Sequence, residues 1–102
     1  MINETDEPRP PKFTEQFDKQ IDRLPHEIKV AFRDALALFL EEPYNEVLNN
    51  HQLEGKLVDY SSININGDYI AFFKEKITNK EKVVTFHKIG THKRLYSHSR
   101  KK

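Results

Sequence analysis

Apolar residues recur along this chain with two different periods, and the change from one to the other divides it. From Glu15 they fall at Phe17, Ile21 and Leu24, steps of four and three that mark one face of a helix. Thr14 precedes that helix as an N-cap, its hydroxyl placed to satisfy an orphan backbone N–H. Pro25 ends it and suits the first turn of a second helix, where its missing N–H costs nothing. The second stripe is wider: Ile28, Phe32, Ala35, Leu36, Phe39 and Leu40, enough to cover a sheet. Glu41-Glu42-Pro43 closes it, because the residue before a proline avoids the α region. So short a connection at Leu24-Pro25 predicts two antiparallel helices.

Residues 43–56 read as a loop or irregular segment that reaches Gly55, and beyond it the period drops to two. Leu57, Ile63 and Ile65 hold odd positions, and Asn66-Gly67 is a hairpin turn signal because both residues tolerate positive φ. Residues 68–75 (DYIAFFKE) are apolar on both faces in the middle, the mark of a central strand covered on both sides. Thr78–Glu81 predicts a turn and Lys82–Ile89 another strand. Gly90 is expected to break that strand, leaving Thr91–Tyr96 as a terminal turn or short strand. Lys12–Thr14 leaves room for a short edge strand. The pattern predicts an α+β fold, an N-terminal helical hairpin packed on a small antiparallel sheet. It is read as one domain over residues 12–96, after a flexible, proline-rich lead-in over 1–11 and before a frayed basic tail over 97–102.

Composition narrows the class. One domain is the expectation for 102 residues, and the 28 Leu, Ile, Val and Phe supply a modest core. Zero cysteines exclude disulfides, thiolate metal sites and cysteine nucleophiles together. No apolar run approaches the roughly 18–20 residues of a membrane span, and the acidic start MINETDEPRPP is unlike a secretory signal. A small soluble cytoplasmic protein without a membrane partner is expected. The formal net charge of +1 hides a division: residues 1–50 carry 6 basic and 11 acidic side chains, residues 51–102 carry 11 and 5. An asymmetry of that kind points to a polyanionic partner for the second half.

Motifs of high specificity are absent: no glycine-rich phosphate loop, no His-Glu-x-x-His, no Gly-x-Ser-x-Gly. What the second half offers is His51, Asp68, Tyr69, His87 or Lys88, His92 and Tyr96, all near predicted strand ends or loops. That set suits metal-independent RNA cleavage. Such a reaction needs a base for the 2′-hydroxyl, an acid for the leaving 5′-oxygen and cations for the phosphorane. Histidine serves both proton transfers because its free pKa of about 6.5 lies near working pH. Lys88 could stabilise the phosphorane oxygens, and Tyr69 and Tyr96 could stack on splayed bases. Blander readings exist for each. Histidines are often structural, Asp68 also fits a turn, Phe72, Phe73 and Phe86 read as core, and Lys93-Arg94 also fits a solvated end. No histidine pair has the i, i+4 spacing of a helical metal site, so no metal or cofactor is expected. Strand alternation sends His87 to the face opposite Lys88.

At these residues the sequence resembles the RelE/ParE toxin superfamily, and within it the YafQ-like mRNA interferases. The likeness rests on His51-Gln-Leu-Glu-Gly-Lys-Leu57, Tyr60-Ser-Ser-Ile-Asn-Ile-Asn-Gly-Asp-Tyr69 and Phe86-His-Lys-Ile-Gly-Thr-His-Lys-Arg-Leu-Tyr96, with Phe17–Pro25 and Leu38–Pro43 resembling that family's helical hairpin. It spans roughly residues 12–96. The resemblance implies a RelE-like, microbial ribonuclease-like fold and the toxin role in a type II toxin–antitoxin module. It also implies cleavage of mRNA in the ribosomal decoding site and a cognate antitoxin partner. Carried over by position, His51 and His92 match acid/base histidines and Asp68 the aspartate after the hairpin turn. Lys88 stands where an arginine stabilises the transition state. Tyr69 and Tyr96 occupy aromatic positions, with Lys93 and Arg94 expected on the RNA.

The chain departs from that pattern at Asn64, where YafQ-like enzymes have a further histidine. It also departs at Ser61 and Ile70, where relatives carry arginines. Lys88 keeps the charge but not the planar fork of a guanidinium. These departures motivate an alternative: a non-catalytic or ParE-like member of the same fold that binds an antitoxin or DNA gyrase.

Overall fold

The computed structural model describes residues 10–100, with side chains through Ser97. Most of the expected lead-in, 1–9, and the end of the expected tail, 101–102, lie outside the described residues. The elements are β1 (Lys12–Phe13), α1 (Glu15–Asp22), α2 (His26–Glu41), β2 (His51–Gln52), β3 (Ser61–Asn66), β4 (Tyr69–Thr78), β5 (Glu81–Thr91) and α3 (His92–Arg100). The sheet runs β1-β5-β4-β3-β2. β1 pairs parallel with β5, and the other neighbours are antiparallel. This is the predicted α+β arrangement of a helical hairpin on a sheet.

Local chemistry accounts for the first half. Thr14 caps α1, its hydroxyl accepting from the Phe17 N–H at 3.0 Å, and the same hydroxyl donates to the His87 carbonyl at 3.3 Å. Pro25 is the N-cap residue of α2 at φ −59°. Ile28, Phe32, Ala35 and Phe39 form the buried line of α2. Leu40, counted in the stripe from the sequence, faces outward instead, 39% exposed.

β4 carries two cores. Ala71 and Phe73 point to the helices, where Phe17, Phe32, Phe39 and Phe86 interlock with them. Phe39 and Phe73 meet edge to face at 5.0 Å between ring centres, a geometry favoured by the ring quadrupoles. Ile70 and Phe72 point the other way, onto Leu53, Leu57 and Leu95. The expectation of a central strand covered on both sides holds.

Three expectations need correction. The hairpin turn falls one residue later than Asn66-Gly67: Asn66 pairs with Tyr69, Gly67 takes φ +54°, and Asp68 sits in the turn rather than on β4. Gly90 does not break its strand; β5 continues to Thr91. A Cβ on Gly90 would lie 3.3 Å from Leu95 Cδ2, so the glycine admits close packing of α3 onto the sheet. Finally, Thr91–Tyr96 is neither a turn nor a short strand. Thr91 accepts from the Arg94 N–H through its hydroxyl at 3.2 Å, and α3 starts at His92, its backbone continuing through Arg100 into the expected tail.

Candidate active site

The turn between β3 and β4 meets the start of α3. The His92 backbone N–H donates to the Asp68 carbonyl at 3.0 Å. The His92 ring follows it: Nδ1 lies 3.3 Å from Asp68 Oδ1 and 3.3 Å from the Asp68 carbonyl oxygen. Two acceptors at Nδ1 favour the proton there and leave the Nε2 lone pair for other work. Both side chains are half or more exposed, so a substrate can reach them. One turn along α3, the Tyr96 ring stacks on His92 at 5.9 Å and 18°.

Tyr96 begins an aromatic ridge on the face of the sheet away from α1 and α2. It meets Phe72 edge to face at 5.5 Å, and Phe72 meets Tyr60 at 5.9 Å. Burial raises the Tyr96 phenol above its ordinary pKa, so it stays a neutral hydroxyl. At the Tyr60 end stand cations. Lys74 Nζ is 4.8 Å and Lys88 Nζ 5.7 Å from the Tyr60 ring centre, within cation–π reach.

His87 joins this group, which corrects the alternation argument. Phe72 pairs with Lys88 and Phe73 with Phe86, so β5 carries one extra residue between them. The resulting bulge breaks the alternation and brings the His87 ring edge-on to Tyr60 at 5.5 Å, beside Lys88 rather than behind it. Burial first, then the positive charges of Lys74 and Lys88, lower the His87 pKa from 6.5. Its imidazole is therefore neutral near pH 7.

The other expected residues are dispersed. His51 lies on β2, exposed, with Nδ1 2.7 Å from the Asn49 carbonyl oxygen. Register places it in one cross-sheet row with Ser62, Phe72 and Lys88. Three strand spacings of about 4.8 Å put roughly 14 Å between the ends of that row. Tyr69 belongs to the helix side. It lines a groove of about 660 Å³ with Gln20, Arg23, Thr91 and Arg94. Lys93 is exposed on α3. The structure thus brings Asp68, His92 and Tyr96 together, with Lys88 on the same ridge, and sets Tyr69 and Arg94 on the other face. Among the described residues no three His, Asp or Glu converge as a metal site would require. Tyr60 and Lys74 were not singled out as site residues by sequence, and His87, weighed beside Lys88, was set aside on strand alternation. Only the bulge brings His87 to this ridge, and no periodicity announces a bulge.

No protein-family model and no curated protein matches the chain. Solved structures do. YafQ from E. coli strain BL21(DE3) aligns at 21% identity over 86% of this chain and 98% of that one, with a TM-score of 0.69. A YoeB/ParE toxin from Agrobacterium tumefaciens aligns at 14% over 82% and 99%, TM-score 0.66. The RelB–RelE antitoxin–toxin complex of Methanococcus jannaschii contributes a chain at 21% over 85% and 96%, TM-score 0.55. Sheet, helical hairpin and terminal helix together are therefore the fold of the RelE/YafQ toxins.

Proposed function

We propose that the protein is the toxin of a type II toxin–antitoxin module, a metal-independent endoribonuclease that cuts ribosome-bound mRNA in the cytoplasm and so stops translation. The observation that carries the reading is the Asp68–His92 pair at the end of the Tyr96–Phe72–Tyr60 ridge, with the Lys88 ammonium on the same face.

In the reaction, a base takes the 2′-hydroxyl proton, the 2′-oxygen attacks phosphorus, and the P–O5′ bond breaks as an acid protonates the 5′-oxygen. His92 is suited to the acid role. Asp68 holds Nδ1 and so orients the ring, turning Nε2, which delivers the proton, toward the leaving oxygen. Lys88 stabilises the charge of the phosphorane, and the Tyr96 ring, stacked on His92, continues the aromatic ridge along which bases stack. His51 is the candidate base for the 2′-hydroxyl, a role that requires the scissile phosphate to sit between β2 and β5, whose row ends lie roughly 14 Å apart in register.

Expression in growing bacteria tests this. Wild type should arrest growth and generate new 5′ ends within codons, read by primer extension. His92→Ala should reduce cleavage by about 10²–10⁴-fold, the usual worth of a general acid. Equal arrest by both proteins sinks the role of His92. Intact transcripts during arrest favour the gyrase- or antitoxin-binding alternative. A cognate antitoxin is part of the proposal, motivated by the antitoxin–toxin complex among the structures of this fold. The product of the adjacent reading frame should co-purify with the protein, and a toxin that always elutes alone counts against it.

A further inference from the structure

Lys74, Lys88 and His87 converge on one ring, and among the described residues no ion pair involves either lysine. Both ammonium groups lie within 5.7 Å of the Tyr60 ring centre, and the His87 ring within 5.5 Å. Among the described residues the ion pairs are Lys19–Glu15, Lys82–Glu75 and His92–Asp68, so none engages Lys74 or Lys88. Glu75, next to Lys74 in β4, belongs by alternation to the opposite face and pairs there with Lys82. Mutual repulsion without a counter-charge disfavours the fold, and local conflicts of this kind are expected where an anion binds. The site is separate from the Asp68–His92 pair: Phe72 and Tyr96 stand between them.

We infer that Lys74, His87 and Tyr60, with Lys88 at their border, form a second phosphate subsite that holds a neighbouring nucleotide of the single-stranded RNA whose cleavage is proposed above. The ligand's identity rests on that reading. The aromatic ridge favours RNA over an acidic peptide, because bases stack on Tyr60 and Tyr96 while phosphates meet the lysines. Lys74 and Lys88 supply fixed charge. His87 responds: neutral in the free protein, it gains a proton when a phosphate offsets the two ammonium charges that oppose it. RNA affinity therefore gains a component that is present at low pH and lost as pH rises through the His87 pKa of the complex.

A 2′-O-methyl hexanucleotide, which lacks the nucleophile and cannot be cut, is the probe. Lys74→Gln should weaken its binding about three- to tenfold and lower the slope of log K against log salt by about 0.7, one single-strand phosphate contact. In NMR titrations of wild type, the His87 midpoint should move up when the hexanucleotide is added, and His87→Gln should flatten the pH dependence of affinity. Wild-type affinity and salt slope in Lys74→Gln overturn the subsite even if mRNA is cut in cells. Weakened binding in Lys74→Gln supports the subsite even if no mRNA is cut, in which case the ribonuclease reading fails instead. An acidic peptide weakened by Lys74→Gln while the hexanucleotide is unaffected also overturns it.

Discussion

His87 owes its position to a single extra residue in β5, and its chemistry follows from that position. Burial, then Lys74 and Lys88, lower its pKa below the 6.5 of an unperturbed histidine. An unfolded chain binds the proton as pH falls through about 6.5, whereas the folded chain binds it only at lower pH. Stability is therefore unaffected by this group above about 6.5 and declines as pH falls from there toward the folded value. His87→Gln removes that component, so the drop in thermal midpoint between pH 7.5 and pH 5.5 should be smaller in the variant. An identical drop in both proteins refutes the assignment. At this scale the sequence was legible unevenly. Phe72, Phe73 and Phe86 announce a core by hydrophobicity alone, and all three are fully buried. The convergence of Lys74 and His87 on Tyr60 depends on register between residues 14 to 27 positions apart, with a bulge inside it. No local pattern encodes that.

Elements with their own periodicity could be read in advance, and elements held by tertiary contacts could not. α2 shows a wide apolar stripe and runs from His26 to Glu41 much as expected. α3 has only Leu95 and Tyr96 as apolar residues between His92 and Ser97, too few to define a face. It is held by Leu95 in the second core, by the Thr91 hydroxyl and by the Asp68 carbonyl. Leu95 lies between the stacked pair His92 and Tyr96, so its anchorage fixes both. Leu95→Ala should cost about 2–5 kcal/mol in chemical denaturation, the range for truncating a buried leucine. Cleavage under conditions where the variant remains folded should also fall, because His92 is no longer held against Asp68. A destabilised variant with wild-type cleavage would show that α3 positions nothing.

Across the whole molecule, one strand separates two surfaces of different composition. The half of the sequence that supplies α1 and α2 carries the acidic excess, and the half that supplies β3, β4, β5 and α3 carries the basic excess. The net charge of +1 averages two sequence halves of opposite sign. Phe73 fills the core under the helices, and Phe72, its neighbour on β4, fills the core beneath the ridge. Both are fully buried, so truncating either to alanine should cost about 3–5 kcal/mol. A domain of this size has about 5–15 kcal/mol in all, so each variant is weakened but can be studied in the cold. Their effects on the surface should differ. Phe72 touches Tyr60 at 5.9 Å and Tyr96 at 5.5 Å, whereas Phe73 touches Phe39 and Phe86. At matched folded fractions, Phe72→Ala should bind the 2′-O-methyl hexanucleotide more weakly than Phe73→Ala, which should approach wild type. If the two variants bind alike after correction for folding, the ridge is not the RNA surface, and the polyanion suggested by the charge division must be met elsewhere on the molecule.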